Sequence, residues 1–129
     1  MDYVYQFLVC AALFLAIDSI WLTVIAGKLY KKKLKHLLAD KPDLKPAALF
    51  YVIYVIGILV FALNPALDDK SLSTALTHGA FLGFVMYATY DLTNQSTLKN
   101  WPKLITVIDL AWGAVLTGAV TTIAFLIFN

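Results

Sequence analysis

The chain contains no arginine and no glutamate: its ten basic residues are all lysine and its eight acidic residues all aspartate. The net charge is only +2 and is unevenly spread, which excludes nucleic acid as a partner. The single cysteine, Cys10, has no partner in the chain and sits inside an apolar run, as an inert buried thiol does. No histidine, cysteine or carboxylate stands at metal-ligand spacing from another, so neither a metal nor a cofactor is expected.

Charge of either sign is scarce, at 14% of residues, whereas 61% are hydrophobic and the mean hydropathy is +0.80. Soluble domains use about 45–50% apolar residues. A soluble protein this apolar lacks the polar residues to cover its core, so the composition describes an integral membrane protein. Asp2 follows Met1 where a signal peptide has basic residues, and the first apolar run is too long for a signal core. That run therefore reads as a span.

Four apolar segments cover residues 3–27, 47–63, 73–90 and 104–128, within a single transmembrane domain of residues 1–129. A bilayer core of ~30 Å needs roughly 20 helical residues. Lipid offers no partner to backbone polar groups, so the spans must be helices. Short connections favour an all-α, up-down four-helix bundle. Seven lysines lie between the first and second segments, one between the second and third, and two between the third and fourth. Nine against one places the first and third loops on the cytoplasmic side and both termini on the other.

The first loop carries Tyr30, Leu34, Leu37 and Leu38 on one helical stripe, with lysines on the other faces. It reads as a basic amphipathic extension of the first helix that lies on anionic headgroups, or as an ordinary positive-inside loop. Asn64-Pro65-Ala66 reads as a turn after the second helix. Ala75, Gly79 and Gly83 fall four residues apart, a small-residue stripe for close helix packing inside the bundle or across a homo-oligomer seam.

Three aspartates resist explanation as solvated faces. Asp18 lies in FLAIDSIWLTV, Asp109 in ITVIDLAWGAV, and Asp91 in YATYDLTNQSTLKNWP. An ionised aspartate facing lipid at mid-membrane costs at least about 2.5–3.5 kcal/mol, so each must face the bundle interior or be neutral. Asp18 and Asp109 each precede a tryptophan by three residues, Trp21 and Trp112, which puts acid and indole on one helix face. The two helices are expected to be antiparallel. At ~1.5 Å per residue, Asp18 and Trp112 lie about 12–13 Å from the cytoplasmic ends, and Asp109 and Trp21 about 8–9 Å. Each indole N–H is then level with the opposite carboxyl. Asp91 enters near the depth of Asp109, with Tyr90 and Asn94 beside it, and Tyr51 and Tyr54 line the same half of the second helix. These residues describe a polar chamber opening inward, with Asp18, Asp91 and Asp109 as its acid–base groups. Trp21, Trp112, Tyr51, Tyr54, Tyr90 and Asn94 are its binding wall. The plainer alternative makes Asp91 and Asn94 helix caps, and Asp18 and Asp109 polar glue between helices.

The segments AIDSIWL, LFYVIYVIGILVFALNPAL, GFVMYATYDLTNQSTLKNWP and VIDLAWG together resemble a bacterial group of small predicted membrane proteins, domain of unknown function 2177. The resemblance covers essentially the whole chain. It implies a four-helix protein of the bacterial inner (plasma) membrane and carries over no catalytic residues. Three functions fit the residues. One is an enzyme or binding protein for a lipid or other hydrophobic small molecule, with membrane lipids as partners. The second is a small proton-coupled transporter. The third is a structural membrane subunit with no site of its own.

Overall fold

The computed structural model describes residues 2–129, and every regular element in them is helical. Helix α1, Tyr3–Ile20, starts at Asp2, whose carboxylate accepts from the amides of Val4 and Tyr5 at 3.0 and 3.3 Å. Such a cap satisfies amide donors that the first turn otherwise leaves free. The helix widens into a π-helical turn, Trp21–Ile25, and the chain bends at Ala26. Gly27 is required at that bend, because a Cβ there would strike the carbonyl oxygen of Leu22. The basic helix α2, Gly27–Leu34, follows, so the amphipathic extension is a separate short helix.

The second rod is built from α3, Leu44–Ile58, a π-helical turn, Leu59–Leu63, and α4, Asn64–Asp69. The helix runs through Asn64-Pro65-Ala66, where the sequence suggested a turn. Pro65 has no N–H to give the preceding turn. The wider turn before it absorbs the mismatch, and the Asn64 side chain donates a hydrogen bond to the Leu59 carbonyl at 2.9 Å. The rod ends at Lys70, which adopts the left-handed conformation (φ 52°). Ser71 then caps α5, Leu72–Thr97, and a short connection through Trp101 and Pro102 leads to α6, Lys103–Phe128.

Three helices have the length and hydropathy to cross a membrane: Tyr3–Ile25, Leu44–Asp69 and Lys103–Phe128. Helix α5 matches them in length, at 26 residues, but it is more polar. It packs most closely on α6, in antiparallel register. Gly79 lies against Thr121, Gly83 against Gly113 and Thr117, and Tyr87 against Gly113. The small-residue stripe is thus taken up inside the chain, against α6, and Ala75, Gly79 and Gly83 are all buried there. Helix α1 packs on α3 and α6, its Gln6 bonded to Asn64 and its Asp18 to Tyr51. The interior between the rods is filled by Phe14, Tyr54, Ile58, Leu63, Leu116 and Val120, whereas Val24, Ile53, Phe81 and Val107 point outward. Outward apolar side chains on every long helix are what a lipid-facing surface requires.

Candidate functional site

The two indoles stack. Trp21, at the start of the first π-helical turn, and Trp112, on α6, lie 4.3 Å apart with planes 6° from parallel. The Trp112 indole N–H donates to the carboxylate of Asp18 at 3.1 Å, so the level pairing drawn from helix depth is present on this side. The Tyr51 hydroxyl donates to the second oxygen of Asp18 at 3.2 Å. Asp18 is buried with both oxygens engaged.

On the other side the pairing runs through an intermediary. The Trp21 indole N–H donates to the Tyr30 hydroxyl at 3.0 Å, and Tyr30 in turn donates to Asp109. Tyr30 comes from α2, 79 residues away from Asp109 in the sequence. Burial, and then the contact with Asp109, push the Tyr30 hydroxyl well above its ordinary value, so it remains a neutral donor. The bend at Ala26 is what allows α2 to bring Tyr30 back under the bundle.

Asp91 completes the cluster. It lies inside α5, which runs on to Thr97, so it is not a helix cap. It is fully buried, and neither of its carboxyl oxygens has a hydrogen-bond partner among the side chains and amides around it. Its carboxyl faces that of Asp109 within hydrogen-bond reach. Two facing carboxylates repel, and the pair is relieved when a proton sits between them. Among the described residues no lysine pairs with Asp18, Asp91 or Asp109.

Other expected wall residues lie elsewhere. Tyr90 points outward, 58% exposed, with its ring edge-on to Trp101 at 6.1 Å. It neighbours Asp91 in sequence, and consecutive helical residues point about 100° apart. Asn94 is half-buried and makes no side-chain bond to the acids. Tyr54 sits deeper, bonded to Thr117 at 2.6 Å and packed on Phe14. The expected inward-opening chamber is closed: Asp18, Asp91 and Asp109 are 6%, 0% and 7% exposed. Two open grooves, of about 440 Å³ between α5 and α6 and about 530 Å³ between α1 and the second rod, are lined by other residues.

Tyr30 is the site residue that sequence reasoning missed. Its place on the apolar stripe of the basic loop put it on a face turned to the membrane surface, and gave no sign that it reaches into the bundle. Its hydroxyl is the hydrogen-bond link between α2 and the bundle at this site. Tyr30→Phe removes that link and leaves the Trp21 N–H and Asp109 short of a partner. A hydrogen bond of this kind is worth about 1–2 kcal/mol. Trypsin should therefore cut at Lys28–Lys33 roughly tenfold faster in the reconstituted variant. An unchanged cleavage rate would show that α2 is held by other contacts.

A family model described as "Predicted membrane protein (DUF2177)" matches residues 3–126. No curated protein and no solved structure matches the chain.

Proposed function

The chain belongs to that family of predicted membrane proteins, and we propose that it binds, or acts on, a lipid or other hydrophobic small molecule at the acid–indole site. In this reading the four long helices form an up-down bundle in the bacterial inner membrane. Both termini lie on the non-cytoplasmic side, as the lysine distribution favours. The contact of His36 with the Asn100 carbonyl, at 3.2 Å, supports it by bringing the first and third loops together at one end.

The observation that carries the reading is Asp91. A buried carboxyl with two unsatisfied oxygens is costly, and intramembrane acids of this kind mark ligand and proton sites. Structural glue would engage its polar atoms, as Asp18 does with Trp112 and Tyr51. Protein purified in a mild nonionic detergent should carry a hydrophobic molecule, identified by extraction and mass spectrometry. Asp109→Asn and Trp112→Phe should reduce its occupancy severalfold while the helical circular dichroism is kept. Wild type and both variants with the same extract would defeat the proposal.

The facing carboxyls favour one second reading, a proton-coupled transporter in which the Asp91–Asp109 pair holds the proton. It requires substrate-dependent acidification in liposomes, abolished by Asp109→Asn.

A further inference from the structure

We propose that the polar end of the ligand is a protonated primary amine, an alkylammonium group seated between Asp91 and Asp109. The inference rests on the ligand-site reading above and names the ligand's chemistry.

Donors and acceptors do not balance at Asp91. Trp112 and Tyr51 donate to Asp18, Trp21 donates to Tyr30 and Tyr30 to Asp109, and among the described residues no donor bonds Asp91. What remains is two acceptors, the oxygens of Asp91, both buried and both without a partner. A hydroxyl brings one proton. A primary ammonium brings three N–H donors, enough for both oxygens of Asp91 and one of Asp109.

Charge points the same way. Asp91 and Asp109 face each other with Asp18 in the neighbourhood, and among the described residues no lysine is paired to any of them. A phosphate or carboxylate headgroup would add repulsion where nothing offsets it. A cation is attracted, and charge-assisted hydrogen bonds are about twice as strong as neutral ones. A bare metal ion fits less well. No group of three potential ligands comes together among the described residues, and hard cations take about six or more oxygens.

The acids lie close to an interfacial level of the bundle. Trp101 marks an interfacial level just beyond Asp91, with its indole bonded to Thr106 at the start of α6. A headgroup at this level leaves its chain in the hydrocarbon. Both oxygens of Asp91 are closed off, so entry requires the packing around them to part.

Binding is read by tryptophan fluorescence of the full chain in nonionic detergent, in a Trp101→Phe background that leaves the stacked pair as reporter. Dodecylamine should change the signal saturably and bind at least about tenfold tighter than dodecanol, dodecanoic acid or dodecyltrimethylammonium. Asp91→Asn should weaken dodecylamine by a similar factor and leave dodecanol unchanged, and Asp109→Asn serves if that variant does not fold. Equal or tighter binding of the alcohol, the acid or the quaternary amine overturns the ammonium proposal but leaves a hydrophobic-ligand site standing. No saturable binding of any amphiphile overturns both. In nanodiscs, competition with dodecylamine by phosphatidylethanolamine but not phosphatidylcholine supports a lipid headgroup as the source. Binding unaffected by either lipid supports a free amine.

Discussion

Gly83→Val is expected to destabilise the folded bundle by about 3 kcal/mol or more. A Cβ at Gly83 falls on the Gly113 carbonyl oxygen and lies 2.6 Å from the Thr117 hydroxyl. The first obstacle is backbone, so no rotamer change relieves it, and α5 and α6 must move apart. In lipid, water does not drive helices together, and close packing supplies much of the association. Overpacking of a tight core costs about 1–3 kcal/mol and occasionally more. This site belongs at the upper end, because the helices meet backbone to backbone. Gly57 is the internal control: a Cβ there meets nothing within 4 Å. Gly57→Ala should be neutral, or stabilise by up to about 1 kcal/mol through helix propensity. Unfolding in sodium dodecyl sulfate, followed by circular dichroism, compares the two. A Gly83→Val protein as resistant as wild type would mean that the α5–α6 contact is looser than described.

Three of the four expected spans were legible because the hydrocarbon core imposes a length and a polarity that composition cannot disguise, whereas α5 has the length but is more polar. The all-helical architecture follows from the same constraint, since lipid leaves the backbone no other partner. Their detailed course was not legible. Proline signals a stop in water, yet here the π-helical turn Leu59–Leu63 and the Asn64 amide carry the helix past Pro65. The small-residue stripe was visible as a seam. Which helix fills it depends on side chains in α6, Thr117 and Thr121, that local pattern does not reveal.

The site divides in the same way. The contact of Trp112 with Asp18 follows from two spacings and an antiparallel depth count, because helix geometry fixes level once the ends are known. The route from Trp21 to Asp109 does not follow. It depends on the bend at Ala26, set by a single close approach at Gly27, and on a tyrosine in a loop whose lysines dominate its pattern. Tyr90 and Asp91 could not be separated by composition. Helix rotation sends one outward and the other inward.

Asp91→Asn is expected to make the protein more stable and to remove its function. The wild-type carboxyl is fully buried, has no donor on either oxygen, and faces a second carboxyl. Leaving such a group unsatisfied costs about 1–3 kcal/mol. The replacement amide has nearly the same shape, carries no charge and brings an N–H that can donate to Asp109. Most of that cost should be recovered, so thermal unfolding in detergent should shift upward by several degrees, at about 3–6 °C per kcal/mol for a chain of this size. Ligand binding should fall in the same sample, since the charge is gone and one of the two acceptors that await a donor has become a donor itself. Strained or unsatisfied groups that reduce stability persist where function needs them. A purely structural aspartate gives the reverse outcome: the variant would be no more stable than wild type, and its bound ligand would be unchanged. Measuring both quantities on one preparation separates the two roles, because a folding defect lowers both and a lost site raises one while lowering the other.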